Sequence, residues 1–140
     1  MTRIAHTGTP STDGYAAWVR VLACLPAVAI VALIWKLSGT PDLAIASGWL
    51  DTVTRKAAHV IAFGVLCLAC VYGLRAQRLS DRTCLIGGAL LACVYAGIDE
   101  YHQTFVPTRH GTPVDVAIDA AGIGIASMVL AMAFNRRGIA

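Results

Sequence analysis

The chain has 140 residues, enough for one domain, and 57% of them are hydrophobic while only 14% are charged. With a mean hydropathy of +0.68, this composition lies above the roughly 45–50% apolar content of soluble domains and excludes an ordinary soluble protein. The net charge is only +3, and the sequence has no basic patch, glycine-rich phosphate loop or dinucleotide fingerprint, so we expect no nucleic-acid partner.

Four apolar segments follow one another along the chain, separated by short polar stretches. Three of the uninterrupted runs have about fifteen residues, fewer than the ~20 that cross a bilayer. Flanking arginine, lysine and aromatic side chains extend each run to the membrane interface. We therefore predict an all-α integral membrane protein, a bundle of four transmembrane helices. Their predicted bounds are about 16–37, 55–74, 83–103 and 114–134.

A short polar segment precedes the predicted membrane domain, and two prolines fall at positions that affect its helices. Residues 1–15 are small and polar, which predicts a disordered cytoplasmic tail ahead of a membrane domain over residues 16–137. Pro26 falls inside the first helix and predicts a kink there. Pro113 suits the first turn of the fourth helix, since that position needs no amide proton.

The lysines and arginines orient the bundle. Seven of the eleven lie in the tail, at the start of the first predicted helix, near residues 75–82 or at the C-terminus, and four lie on the other side. Because positive residues are retained in cytoplasmic segments, this count predicts that both termini are cytoplasmic. Six of the eight acidic residues fall on the opposite side, although acids are not part of that rule.

A first polar cluster opens the second predicted helix, with the sequence Arg55-Lys56-Ala57-Ala58-His59. Its three polar side chains are spaced by three and four residues, so they share one helix face. Charge beside hydrocarbon is costly, and ionisable groups in such places are functional candidates.

A second polar cluster runs from Asp99 to residue 115 and joins the third helix to the fourth. Asp99, His102 and Gln103 share one face of the third helix, with Glu100 beside it. The cluster also contains Arg109 and a further histidine. We assign no role from spacing to either histidine of this cluster.

The fourth helix adds two acids, Asp115 and Asp119, on one face. Asp119 lies about 6 Å deeper in the membrane than Asp115, at a rise of 1.5 Å per residue, so its carboxylate needs a partner. The available partners are Arg55, Lys56, His59 and Arg109. We predict that the second, third and fourth helices enclose one polar pocket, open on the side away from the cytoplasm.

Together these motifs resemble the VanZ-like membrane proteins. Their pattern is Lys-x-x-His, then Asp-Glu-x-x-Gln, Pro-x-Arg and Asp-x-x-x-Asn/Asp-x-x-Gly, and it covers about residues 51–130. The matching positions are Lys56, His59, Asp99, Glu100, Gln103, Pro107, Arg109, Asp115, Asp119 and Gly122. Asp119 stands where many relatives carry asparagine, which adds negative charge to the site.

The resemblance implies a multi-pass protein of the bacterial plasma membrane and cell envelope. The namesake of the family is associated with resistance to the glycopeptide antibiotic teicoplanin. We therefore expect this protein to affect glycopeptide susceptibility by binding or handling an amphiphilic envelope lipid or the drug. Its expected partners are membrane lipids, with a lipid-linked envelope precursor or a lipophilic glycopeptide as ligand.

Two readings assign functions to the individual side chains. In the binding reading, the ligand is held by a set of polar side chains, with Lys56 and Arg109 anchoring its anionic group. That set is Arg55, Lys56, Asp99, Gln103, Arg109 and Asp115. In the enzyme reading, His59 and Glu100 transfer protons near a lipid-linked phosphate or headgroup, and Asp119 orients His59. A serine nucleophile motif is absent from the sequence, which argues against serine acyl chemistry.

Two further readings remain open. A structural or partner-binding protein would use the same charges as a salt-bridge network, pairing Lys56 with Asp99, His59 with Asp119, and Arg109 with Asp115 or Glu100. We expect no cofactor, and a divalent metal is the weaker alternative. Its ligands would be His59, His102, Asp99 and Glu100.

Overall fold

The computed structural model describes residues 12–41, 47–109 and 111–137. This part of the chain is helical without strands, and it contains five α-helices. They are α1 (Thr12–Leu22), α2 (Leu25–Ser38), α3 (Trp49–Ala76), α4 (Asp81–Gln103) and α5 (Pro113–Arg137). Of the predicted tail, residues 1–11 lie outside the described residues, and residues 12–15 belong to the first turn of α1 rather than to a disordered segment.

The first predicted transmembrane helix is divided into α1 and α2 by a short turn at residues 23–24. Pro26 is the cause, because it lacks an amide proton and its ring clashes with the carbonyl group four residues earlier, that of Leu22. The helix therefore stops at Leu22 and restarts at Leu25, with the proline in its first turn. The predicted kink is a two-residue interruption, at which Cys24 keeps a right-handed helical backbone.

Four helical segments in the described ranges are long and apolar enough to cross a membrane. They are Ala17–Ser38, Trp49–Ala76, Asp81–Gln103 and Pro113–Arg136. Large apolar side chains stand on their outer faces, among them Leu90, which is 60% exposed, and Val94, which is 62% exposed. So much exposed apolar surface requires hydrocarbon around it, and the predicted all-α membrane bundle is confirmed.

The second predicted helix starts six residues earlier than residue 55, because α3 begins at Trp49. Gly48 precedes it with a φ of 62°, a conformation that glycine adopts without strain. Asp51 in the first turn forms a 2.6 Å ion pair with Arg55, four residues later. An acid near a helix N-terminus and an i,i+4 pair both favour the helix, so this segment is helical although it looked like a connector.

Helix α3 is the centre of the bundle and packs against α5, α4 and α2. Its side chains Phe63, Leu66 and Cys67 are buried against Ala92 of α4 and Ile123 of α5.

The approach of α5 to α3 is closest at Gly122, where an added Cβ would clash with the carbonyl oxygen of Val60. Small residues permit such close helix contacts in membranes. The α3–α5 crossing thereby fixes which residues of these two helices face each other.

Successive membrane-crossing helices run antiparallel. The two ends of the bundle carry different side chains. At one end, Arg75 pairs with Asp81 at 3.2 Å and lies over the ring of Phe134 at 4.4 Å. The other end gathers the C-termini of α2 and α4 with the N-terminal halves of α3 and α5. Both polar clusters lie at this second end, and its assignment to the outer side of the membrane stays a prediction.

Candidate functional site

A cavity of about 170 Å³ lies between α3, α4 and α5 at the end that carries both polar clusters. Its volume compares with the roughly 150 Å³ of an apolar cavity that holds benzene, so it is large enough for a small polar group. Its lining residues are Thr52, Arg55, Lys56, His59, Glu100, Gln103, Asp115 and Ile118. The structure thus brings Arg55, Lys56 and His59 of the first cluster together with Glu100, Gln103 and Asp115 of the second.

His59 and Asp119 form the most deeply placed pair of this site. Their Nδ1 and Oδ1 atoms are 3.1 Å apart, and the Asp119 side chain is fully buried. When Asp119 is ionised its carboxylate only accepts hydrogen bonds, and the tautomer of His59 that carries Nδ1–H is the one that donates to it. The other ring nitrogen, Nε2, is then left for a ligand, since His59 lines the cavity. Among the described residues, Oδ2 of Asp119 has no donor.

Lys56 and Asp115 form a second pair between α3 and α5, with Nζ 3.1 Å from Oδ1. The other Asp115 oxygen accepts a 2.7 Å hydrogen bond from the hydroxyl of Thr112. The same hydroxyl oxygen accepts from the Asp115 amide at 3.3 Å, so Thr112 caps the N-terminus of α5. The cap holds Asp115 in place for Lys56. The structural reading had paired Lys56 with Asp99 instead.

Asp99 is fully buried between α2 and α4. One of its oxygens, Oδ2, accepts hydrogen bonds of 2.9 Å from both the Ser38 hydroxyl and the Gln103 amide. Its Oδ1 is buried without a partner among the described residues. Asp99 lies behind the cavity wall that Gln103 provides, so its direct role is to position Gln103 and the end of α2.

Glu100 reaches the cavity from α4 and is also tied to the start of α5. Its Oε1 accepts a 2.7 Å hydrogen bond from the backbone amide of Thr112. Gly111 lies directly against the backbone carbonyl of Glu100, where no Cβ fits. The carboxylate is therefore held by the loop before α5, which fixes its position in the cavity wall.

A tight turn over residues 106–109 orients the Arg109 side chain toward the end of α2. The Arg109 amide donates to the carbonyl of Val106 at 3.1 Å, and Thr108 has a φ of 67°. Proline followed by a positive φ matches a type II turn, and a β-branched residue is strained there. The guanidinium donates to the carbonyls of Leu37 and Thr40 at 3.4 and 3.5 Å.

Arg109 therefore caps the C-terminus of α2, where a cation is favourable, rather than pairing with an acid of its own cluster. Burial of the guanidinium, followed by the nearby positive charge of Arg55, lowers the pKa of Arg109 from its usual value. Its position beside Arg55 places two cations at the edge of the site.

Comparison with known families matches the VanZ/LLP1 family over residues 11–135, nearly the whole chain. The chain belongs to the VanZ/LLP1 family. Comparisons with curated proteins and with solved structures give no match. The motif positions of this VanZ/LLP1 protein lie together in the structure: Lys56, His59, Glu100, Gln103 and Asp115 line the polar cavity.

The histidines of the second cluster lie outside that cavity or outside the described residues. His102 stacks on Trp35 of α2, with ring centroids 3.7 Å apart and planes inclined by 16°. His110 lies outside the described residues. The described ranges contain no group of three or more His, Cys, Asp and Glu side chains that holds a metal. Consequently His59, His102, Asp99 and Glu100 are not gathered as a ligand set.

Three polar residues of the site were missed in the sequence: Ser38, Asp51 and Thr112. Thr112 had a usable signal, because Thr-Pro-Val-Asp has the spacing of a helix cap with an acid at its third residue. Ser38 is the last residue of α2 and Asp51 lies in the first turn of α3, and only the packing of α2 against α4 shows that Ser38 reaches Asp99.

Proposed function

We propose that this VanZ/LLP1 protein binds the phosphate-bearing headgroup of an amphiphilic envelope lipid, and that this binding alters susceptibility to glycopeptide antibiotics such as teicoplanin. The observation that carries the proposal is the polar cavity formed jointly by Arg55, Lys56 and His59 of α3 with Glu100 of α4 and Asp115 of α5. It stands at one end of an apolar bundle, where the head of a lipid lies while its chains stay in hydrocarbon.

The walls of the cavity carry both donors and acceptors. Arg55 and Lys56 donate to phosphate oxygens, and the planar guanidinium does so in a bidentate manner. The carboxylates of Glu100 and Asp115 accept hydrogen bonds from hydroxyl or amino groups. This mixture suits a headgroup in which a phosphate is joined to hydroxyl or amino groups better than it suits a bare anion.

Lipid binding by the purified protein in detergent tests this proposal. Native mass spectrometry compares phosphatidylglycerol with diacylglycerol of the same chains, which lacks the phosphate. We expect wild type to prefer phosphatidylglycerol, and Arg55→Gln to weaken its binding by at least about tenfold, since hydrogen bonds to charged groups contribute about 1.5–3 kcal/mol.

The matched control is Arg82→Gln, which removes the same charge at the opposite end of the bundle. It should change binding by less than about fivefold, the worth of one basic residue near an anionic surface. Equal binding of both lipids by wild type would contradict the proposal.

The antibiotic part of the proposal has its own test. A sensitive host expressing wild type should show a raised inhibitory concentration of teicoplanin. The rise should disappear in His59→Ala, Glu100→Ala and Arg109→Ala at matched membrane levels, and persist in Arg82→Gln. No rise with wild type would separate this protein from the glycopeptide phenotype, while the lipid-binding test would stand on its own.

The buried His59–Asp119 pair favours a second candidate function, hydrolysis of a lipid phosphate monoester. His59 would take a proton from the attacking water, and Glu100 would give a proton to the leaving alkoxide. The products would be the lipid alcohol and inorganic phosphate. Phosphate release from phosphatidic acid by wild type, lost in His59→Gln and Glu100→Gln, would support this reaction. Its absence, with phosphatidylglycerol still bound, would leave binding alone.

A structural network is the competing explanation, because the pairs Lys56–Asp115 and His59–Asp119 also connect α3 to α5. Lys56→Gln distinguishes the two. The lysine side chain is 44% exposed, and exposed pairs contribute about 1 kcal/mol at most, so the protein should remain folded. A purely structural network predicts unchanged lipid binding in this variant, whereas a headgroup site predicts weaker binding.

A further inference from the structure

A second cavity, of about 110 Å³, lies between α2 and α3 beside the polar one. We call it the chain crevice and define it by its apolar wall of Ile34, Leu37, Ala58, Ala62 and Phe63. It reaches the outside of the bundle at Leu37, which is 46% exposed, and at the exposed Ala58. Its walls extend along the helices from the site toward the middle of the bundle.

Four polar side chains stand at the edge of the chain crevice: Ser38, Arg55, His59 and Arg109. Arg55 and His59 also line the polar cavity, so the two cavities meet at these side chains. The Nε of Arg109 is buried without a partner among the described residues. Burial, followed by the charge of Arg55, lowers the pKa of Arg109, so an anion bound beside the buried Arg109 guanidinium would stabilise its charge.

We propose that the chain crevice holds the first carbons of one hydrocarbon chain of the bound lipid, whose phosphate lies between Arg55 and Arg109. The rest of the headgroup then occupies the polar cavity, and the lipid enters sideways between α2 and α3. This inference rests on the proposed function. By comparison with a cavity of roughly 150 Å³ that holds benzene, 110 Å³ accommodates about four carbons.

The crevice determines where a chain lies rather than how tightly the lipid binds. Lipid tails are as apolar as the side chains of the crevice, so moving a chain from bilayer to crevice yields little free energy. Affinity comes from the headgroup contacts, and the crevice selects the path by which the lipid enters. The proper readout is therefore the position of the chain on the protein.

Photolabelling in vesicles gives that position. The protein is reconstituted in phosphatidylcholine with a phosphatidylglycerol that carries a diazirine on the third or fourth carbon of one chain. After irradiation, peptide mapping should place label on the α2 and α3 residues of the crevice. Ala62→Leu fills the crevice and should reduce this labelling at least fivefold. Ala57→Leu, the same change on an exposed face of α3, should leave it unchanged.

The outcomes separate this inference from the proposed function. If Ala62→Leu leaves crevice labelling intact, or if label spreads evenly over the lipid-facing helices, the chain crevice does not hold the chain. A loss of phosphatidylglycerol binding by Arg55→Gln in detergent would then still support the headgroup site. If Arg55→Gln has no effect there and no crevice label forms, both proposals fail. A phosphatidylcholine probe with the same chain should give less crevice label than the phosphatidylglycerol probe.

Discussion

The acids of the site differ in how their oxygens are satisfied, and this difference indicates their roles. Asp99 is held by Ser38 and Gln103 at 2.9 Å each, so it serves the structure around it. Asp119 relies on His59 at 3.1 Å, and each of these two acids keeps one buried oxygen without a partner in the described part of the chain. A buried acceptor without a donor lowers the free energy of unfolding. The polar site therefore reduces the stability of the bundle.

The His59–Asp119 pair should show strong coupling in unfolding experiments. His59→Ala leaves a buried carboxylate without its donor, and we expect a loss of about 1.5–3 kcal/mol in the free energy of unfolding. In an Asp119→Asn background the same histidine change should reduce the free energy of unfolding by less than half that amount. A buried neutral amide without its hydrogen-bond partner is less destabilising than a buried carboxylate. Reversible unfolding in mixed micelles measures the cycle. Equal costs in both backgrounds would contradict a direct interaction between the two side chains.

At the scale of elements, the start of α5 organises the site. Thr112 caps the helix, orients Asp115 through a 2.7 Å hydrogen bond and supplies the amide that holds Glu100. A single helix N-terminus thus fixes two acids of the cavity wall, one on its own helix and one on α4. Ser80 caps α4 at the other end of the bundle in a similar way, accepting from the Thr83 amide at 3.1 Å.

The two caps provide a matched pair of variants. Thr112→Ala and Ser80→Ala should each reduce the free energy of unfolding by about 1 kcal/mol, the usual cost of losing an N-cap side chain. Only Thr112→Ala should also weaken binding of phosphatidylglycerol, because only Thr112 orients a side chain of the cavity. Loss of binding in both variants would show that reduced stability, and not the position of Asp115, is responsible.

The crossing of α3 and α5 is a second feature of the elements, and Gly122 is its contact point. Gly122→Ala places a methyl group against the carbonyl of Val60, and we expect a loss of about 1–3 kcal/mol from overpacking. Gly124 on the same helix has no atom within 4 Å of an added Cβ. Gly124→Ala should therefore be neutral or slightly stabilising, as alanine favours helix over glycine. Similar thermal stabilities for both variants would exclude this close contact.

For the whole molecule, the charges at the two ends of the bundle predict its orientation in the membrane. Arg20, Arg75, Arg78 and Arg82 lie at the end opposite the site, and retention of positive residues in the cytoplasm predicts that the polar cavity opens on the outer side. The family match and the four membrane-crossing helices support a multi-pass membrane protein. Which face the cavity opens on decides which lipids reach it.

Accessibility of single cysteines in a background without the native cysteines tests this orientation. Thr104→Cys lies at the end that carries the site, and Arg78→Cys lies in the turn after α3, at the opposite end. In intact cells a membrane-impermeant maleimide should label Thr104→Cys, and it should label Arg78→Cys only after permeabilisation. The reverse pattern would move the cavity to the cytoplasmic face and exclude a ligand on the outer side.

The membrane-spanning helices were the part of the fold most readily predicted from the sequence, because the hydrocarbon of the bilayer imposes the same requirement on all of them. Hydrocarbon requires apolar helices with internal backbone hydrogen bonds, so composition alone predicted four spans. It was weaker at their ends, where α3 starts at Trp49 rather than near residue 55, because the Asp51–Arg55 pair stabilises turns that are only moderately apolar. The break before α2 follows from Pro26, but its extent depends on local backbone geometry.

Composition, motif spacing and the 3.6-residue period of a helix were enough to predict the all-α membrane class, the family and the helix faces that carry Lys56 and His59. They also suggested the His59–Asp119 pair, whereas the partners of Lys56 and Arg109 depend on tertiary packing. Lys56 meets Asp115 instead of Asp99, and Arg109 caps α2 instead of joining an acid of its cluster. Partner choice depends on the rotation and depth of each helix, which are fixed by packing contacts between distant parts of the chain.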